Sequence, residues 1–162
     1  MQTTTIACIG CGNMGGAMLG GWLPEAQARG YRLLGMTRTP SRAAELVERG
    51  LILRDTAAEV AREADILVLA VKPYQVEAML ARLASVIRPE TLLVSVAAGV
   101  SVARLRAAVG GRCPVVRCMP NTPALVGKGV FALCFDDPAL RPEDCERVRA
   151  LFGHLGVSVD LP

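Results

Sequence analysis

Apolar and polar positions along the chain alternate between two rhythms. Short apolar runs of strand length occupy residues 5–9, 32–36, 66–70, 92–96, 115–119, 130–135 and 157–159, with 51–53 as a weaker candidate. Between them lie helical stretches with recognisable starts: Thr39-Pro40, a Thr56-Ala57-Ala58-Glu59 capping box, Pro73, Ser101 and Pro142-Glu143. Gly30, Gly50 and Gly110 mark helix ends. Alternation of this kind forces neighbouring strands to run parallel with right-handed crossovers. The expected fold is α/β, a doubly wound, mostly parallel sheet of about eight strands.

No internal repeat, low-complexity tract or charge run interrupts the alternation, so one domain is expected over residues 1–162. The sequence stops at Pro162, directly after the last strand signal, with no helix to cover that sheet edge, and a further segment is expected beyond it. Composition agrees with a tightly wound core, since 52% of residues are hydrophobic and only 4% aromatic. The +3 net charge comes from singly scattered residues such as Arg42, Arg49 and Arg62, which leaves no nucleic-acid footprint and mildly favours anionic ligands. The polar start at Met1-Gln2-Thr3 lacks the basic region of a leader and no apolar run reaches spanning length, so a cytoplasmic protein is expected. Cys8, Cys11, Cys113, Cys118, Cys134 and Cys145 fall mostly inside apolar strands and are read as reduced core residues. His154, the single histidine, has no ligand spacing around it and is read as a helix-end surface residue, so no metal is expected.

Chemistry concentrates at the ends of strands. Gly10-Cys11-Gly12-Asn13-Met14-Gly15 follows the first strand directly and opens a helix, the context that makes a GxGxxG pattern specific. Gly10 would allow the tight turn, Gly12 the approach of a pyrophosphate, and Gly15 close contact of helix and strand. The second strand ends without the acid that would accept the ribose 2′-hydroxyl of NAD. Thr37, Arg38 and Thr39 stand there instead, followed by Arg42, a set suited to a 2′-phosphate. NADP(H) is therefore preferred over NAD(H), although Arg42 alone could equally belong to a solvated helix face. Ala70-Val71-Lys72-Pro73 follows the fourth strand, and Lys72 stands out because Lys128 is the only other lysine. Ala97-Ala98-Gly99 ends the fifth strand with small residues that admit a flat ring. Arg117-Cys118-Met119-Pro120-Asn121-Thr122-Pro123 carries an amide and a hydroxyl on a loop stiffened by proline.

Taken in order, GCGNMGGAM, LAVKP, VSVAAGV and VRCMPNTPALVGKG closely resemble pyrroline-5-carboxylate reductase over nearly the whole chain. The resemblance implies a Rossmann dinucleotide-binding domain and reduction of 1-pyrroline-5-carboxylate to L-proline with NADPH or NADH. It implies that Gly10 to Gly15 hold the pyrophosphate, that Thr37, Arg38 and Thr39 lie at the adenosine ribose, and that Ala70, Val71, Lys72, Pro73, Ala97, Ala98 and Gly99 flank the nicotinamide. Asn121 and Thr122 would lie nearest the transferred hydride. One departure is Ala57, where the family usually has Asn, which removes a ribose-side hydrogen bond. The other is length, since members continue into a helical domain that dimerises and grips the substrate carboxylate, so a homo-oligomer is expected only with that domain. The expected partners are a small-molecule substrate, with no nucleic acid and no membrane. Two alternatives stay open, the cofactor domain of a β-hydroxyacid dehydrogenase and a non-catalytic NADP-binding regulator.

Overall fold

The computed structural model describes residues 3–121 and 129–161. Its eight strands form one sheet: β1 (Thr4–Ile9), β2 (Tyr31–Met36), β3 (Ile52–Leu53), β4 (Ile66–Leu69), β5 (Leu92–Ser95), β6 (Val115–Pro120), β7 (Gly129–Cys134) and β8 (Gly156–Leu161). The spatial order is β3-β2-β1-β4-β5-β6-β7-β8. Every neighbouring pair is parallel except β6 and β7, which run antiparallel. The doubly wound, mostly parallel architecture read from the sequence is thus the one observed, and each expected strand is present within a residue or two.

Among the described residues seven α-helices lie between strands: α1 (Asn13–Trp22), α2 (Ala26–Arg29), α3 (Ala44–Glu48), α4 (Ala57–Glu63), α5 (Pro73–Leu83), α6 (Val102–Ala108) and α7 (Pro142–Gly153). Their starts follow from local chemistry. Thr56 Oγ1 accepts the Glu59 N–H at 3.2 Å and Ser101 Oγ accepts that of Arg104 at 3.2 Å. The return half of the expected box reaches one residue further upstream, because the Glu59 carboxylate accepts from the Asp55 N–H rather than from Thr56. Pro73 and Pro142 occupy first-turn positions, where a missing N–H costs nothing.

Period-two alternation along the central strands splits the core into two faces. Ile6, Cys8, Val116, Phe131 and Leu133 meet Met18, Leu19 and Trp22 of α1 and Val148, Leu151 and Phe152 of α7. On the other face Ala7, Ile9, Leu67, Leu69 and Val115 meet Val60 of α4, Val76 and Leu80 of α5 and Leu105 of α6. Strands β4 and β5 are buried throughout, as a sheet covered on both faces requires. Trp22 ties α1 to α7: its indole N–H donates to the Leu151 carbonyl at 2.8 Å and its ring meets Phe152 edge-on. The β7–β8 pair leaves Val130, Val157, Val159 and Leu161 exposed. Among the described residues no helix is long and apolar enough to cross a membrane.

All six cysteines carry free thiols, four of them buried. Cys8 and Cys11 stand at C-x-x-C spacing, which in isolation would suggest a reactive pair. Burial, however, pushes the Cys8 thiol well up and raises Cys11 to about 11, so neither presents a thiolate. His154 departs from the surface reading, being half-buried at the end of α7 with its Nε2 3.1 Å from the Tyr31 hydroxyl.

Glu63, at the end of α4, accepts from Arg54 Nε at 2.8 Å and from Arg32 Nη2 at 2.9 Å, joining that helix to β2 and to the segment after β3. Hydrogen bonds from Arg54, and then from Arg32, hold its carboxyl down from the ordinary 4.5 to about 2. A carboxyl depressed on folding stabilises the protein above its unfolded pKa and loses that contribution as pH falls through the folded value. Glu63→Gln should therefore be less stable than the parent near neutrality, and the difference should vanish between about pH 4.5 and pH 2. Denaturant unfolding of both proteins across that range measures it. A gap that stays constant with pH would exclude the clamp.

Candidate functional site

Strand order reverses between β1 and β4. From β1 the chain winds outward through β2 and β3, then returns to place β4 on the other side of β1. In open α/β sheets a crevice opens at the carboxyl ends of the strands at such a switch point. Here a cavity of about 690 Å³ lies there, walled by Gly12, Asn13 and Met14 after β1, Ala70 to Pro73 after β4, and Val96 to Gly99 after β5. Arg42, Arg117, Met119 and Pro120 complete it.

The Gly-rich turn explains its own three glycines. Gly10 has φ +97°, and a Cβ there would lie 2.5 Å from the Ala70 carbonyl oxygen of β4's exit loop. A Cβ on Gly15 would collide with the carbonyl of Gly10. Both positions are fixed by the chain's own packing. Gly12 differs, because a Cβ there would meet nothing within 4 Å and would project into the cleft. Gly12 also caps α1 without any side-chain acceptor, and no acid stands in the first turn. The first amide to find an intrahelical carbonyl is that of Gly16, bonded to Gly12 at 2.7 Å. The N–H groups of Asn13, Met14 and Gly15 therefore point from a bare helix start, where dipole and donors both favour an anion.

Around this start the expected site residues divide. Ala70, Val71, Lys72 and Pro73 come together with Ala97, Ala98 and Gly99 across the cleft. Gly99 takes φ +74°, and its carbonyl accepts from Arg104 Nη1 at 3.3 Å while that guanidinium also pairs with Glu77 of α5. Arg104 thus braces the small-residue turn, a role with no local sequence signal. Cys11 is buried with its Sγ toward the Met36 carbonyl. Thr37 is half-buried and Arg38 and Thr39 are exposed just beyond β2, but none of the three lines the cleft. From this segment the exposed Arg42 does, and it also lines a neighbouring cavity against α1. Asn121 is exposed and does not line the cleft, and its Oδ1 accepts the Val130 N–H of β7 at 3.2 Å. Thr122 and Lys128 lie outside the described residues. Arg117 faces the cleft from β6, and its signal was a lone guanidinium inside the apolar run Val115-Val116-Arg117-Cys118-Met119.

The charged residues lining the cleft are Arg42, Lys72 and Arg117, all cations. Residues 5–99 match the model of the family described as NADP oxidoreductase, coenzyme F420-dependent. The chain is 37% identical over 163 residues to a pyrroline-5-carboxylate reductase of Pseudomonas aeruginosa, the match covering 98% of this chain and 58% of that protein. Its identity to the Escherichia coli pyrroline-5-carboxylate reductase is 38% over 152 residues, covering 93% of this chain and 56% of that one. Among solved structures, a Plasmodium falciparum pyrroline carboxylate reductase with NADP bound superposes with a TM-score of 0.86 at 27% identity, covering 100% of this chain and 59% of the other. The chain thus spans a little over half the length of the relatives it matches.

The contrast between glycines is measurable without a ligand. Gly10→Ala should lower unfolding stability by more than about 1 kcal/mol, since it meets both the positive φ and the Ala70 carbonyl. Gly12→Ala should stay within about 1 kcal/mol of the parent, the scale of a helix-cap change. Equal losses for the two in chemical denaturation would contradict the assignment.

Proposed function

Because the chain belongs to the family described as NADP oxidoreductase, coenzyme F420-dependent, we propose that it is the dinucleotide-binding part of a pyrroline-5-carboxylate reductase, reducing 1-pyrroline-5-carboxylate to L-proline with NADPH preferred over NADH. The observation that carries this reading is Gly12, which sits at a bare helix start on the topological switch point with open space where a side chain would be. That vacancy fits a pyrophosphate.

In this reading Gly10, Cys11, Gly12, Asn13, Met14 and Gly15 form the pyrophosphate turn. The first-turn amides of α1 take the anion. Thr37, Arg38 and Thr39 meet the adenosine ribose, and Arg38 together with Arg42 neutralises the 2′-phosphate. Ala70 to Pro73 and Ala97 to Gly99 form the two walls at the nicotinamide end, with Asn121 and Thr122 nearest the reacting carbon. The bound cofactor supplies a hydride to the C=N carbon of a cyclic imine. The chain's own part is to fix one ring face, to crowd out water with Ala97, Met119 and Pro120, and to balance charge. Residues 1–162 form one such unit. In this reading the grip on the substrate carboxylate, and the homo-oligomer, are assigned to length outside the match, which covers 58% of one relative. We place the protein in the cytoplasm.

Calorimetric titration tests the reading. NADPH should bind the parent and fail to bind Gly12→Val, with the variant melting as a folded protein; retained affinity in the variant would refute it. Arg38→Ala should weaken NADPH by about 1.5–3 kcal/mol, the scale of hydrogen bonds to a charged group, and leave NADH almost unchanged. Equal losses for both cofactors would remove the 2′-phosphate assignment.

Turnover tests the division of labour. A misplacement of about 1 Å costs about a hundredfold in rate. The 162-residue chain alone should therefore reduce pyrroline-5-carboxylate at least about a thousandfold more slowly than a full-length relative, and light scattering should report a monomer. Rapid NADPH oxidation by that monomer would show that the cofactor unit holds a complete site.

A further inference from the structure

Eight of the 16 arginines form salt bridges among the described residues, most of them across element boundaries. Arg32 and Arg54 share Glu63, Arg88 meets Asp65, Arg104 meets Glu77, Arg106 meets Asp137, Arg141 meets Asp144 and Arg149 meets Asp160. Arg117 stands apart. It lies in the interior strand β6, opposite Ser95 on one side and Cys134 on the other, and its Nε is cut off from water with no hydrogen-bond partner among the described residues. Arg88 also has a buried, unpartnered Nε, but its terminal nitrogens donate to Ala64 and Asp65. For the Arg117 guanidinium the described residues provide no salt bridge at all. Asp136 lines the small neighbouring cavity with Arg117 but forms no ion pair with it.

An interior strand is a costly place for an unpaired charge, because desolvation is not repaid. At the same cleft Lys72 is exposed and forms no salt bridge among the described residues, and no carboxylate lines the wall. Arg42, on the side of the 2′-phosphate, would be neutralised by it. Two uncompensated positive charges then remain beside the walls assigned to the nicotinamide. A dihydronicotinamide ring is neutral. Once it has given up a hydrogen nucleus and two electrons as hydride, it carries one positive charge.

We propose that Arg117, seconded by Lys72, makes this cleft select the redox state of its cofactor, holding the neutral reduced ring more tightly than the cationic oxidised one. The inference rests on the dinucleotide site proposed above. During transfer the positive charge passes from the protonated imine to the ring, so the total charge in the cleft does not change. The selection therefore acts on the complexes without substrate, favouring entry of the reduced cofactor and exit of the oxidised one.

The ratio Kd(NADP⁺)/Kd(NADPH), measured by calorimetry on the 162-residue chain, reads this directly. One unit charge across a half-wet cleft changes such a ratio by about threefold to tenfold. Arg117→Gln should lower the ratio by that factor, Arg117→Lys should largely keep it, and NADH with NAD⁺ should give the same pattern because the 2′-phosphate plays no part. A residue that served only packing would weaken both redox forms equally. An unchanged ratio in a folded Arg117→Gln protein overturns the proposal. Should Arg117→Gln fail to fold, the exposed Lys72→Gln carries the test, with a smaller fall expected and no fall overturning it. Failure of the parent to bind either form would overturn the dinucleotide site itself, whereas equal binding of both forms would overturn only the selection.

Discussion

The close passage of three backbone segments at Gly10 governs the rest of this molecule. The carbonyl of Gly10, the start of α1 at Gly15 and the exit of β4 at Ala70 occupy one small volume, with a single Cβ at Gly10 enough to reach 2.5 Å from the Ala70 oxygen. That contact sets how steeply α1 leaves the sheet. It also sets the separation of β1 and β4 at their carboxyl ends, and so the mouth of the cleft. Trp22, at the far end of α1, then fixes the helix against α7 through its bond to the Leu151 carbonyl. A helix held at both ends presents its bare first turn to the cleft in one orientation.

The fold was legible in the sequence because its signals were local. Buried central strands such as Ile66–Leu69 and Leu92–Ser95 are continuous apolar runs, and a sheet covered on both faces leaves no other reading for them. Helix starts at Thr56, Ser101 and the prolines were likewise written in neighbouring residues. The wall of the cleft was only partly legible. Loops after β1, β4 and β5 were found because small residues and a proline mark them, and Arg42 was read after the second strand, but Arg117 on the wall and Arg104 behind it took their places through tertiary packing. Arg104 reaches Gly99 from the next helix, and nothing in its own heptad announces that. The thiols of Cys8 and Cys11 follow the reduced-core reading despite their C-x-x-C spacing, since a strand and its turn place two ordinary core thiols at that interval.

Charge follows a rule that differs between scaffold and site. Outside the cleft, carboxylates answer arginines across element boundaries, and Glu63 serves two of them at once. Exposed pairs of this kind add little stability each, but they hold neighbouring elements in register. Among the described residues lining the cleft there is no acid, and three cations remain. Arginines such as Arg62 and Arg82 are left without a carboxylate on exposed faces, where water meets them, whereas the cations at the switch point stand where a ligand can meet them.

The antiparallel β7 belongs to the same logic. Had β7 run parallel to β6, the chain would have had to cross back along the sheet before starting it. Reversal lets β6 end and β7 begin at the same edge, where Pro120 pairs with Phe131. Asn121 then closes the base of the connection by accepting the Val130 N–H. The Asn121 amide uses its oxygen for the backbone, and its NH₂ group forms no hydrogen bond among the described residues. Strand direction, rather than loop composition, is what keeps Met119 and Pro120 on the cleft wall.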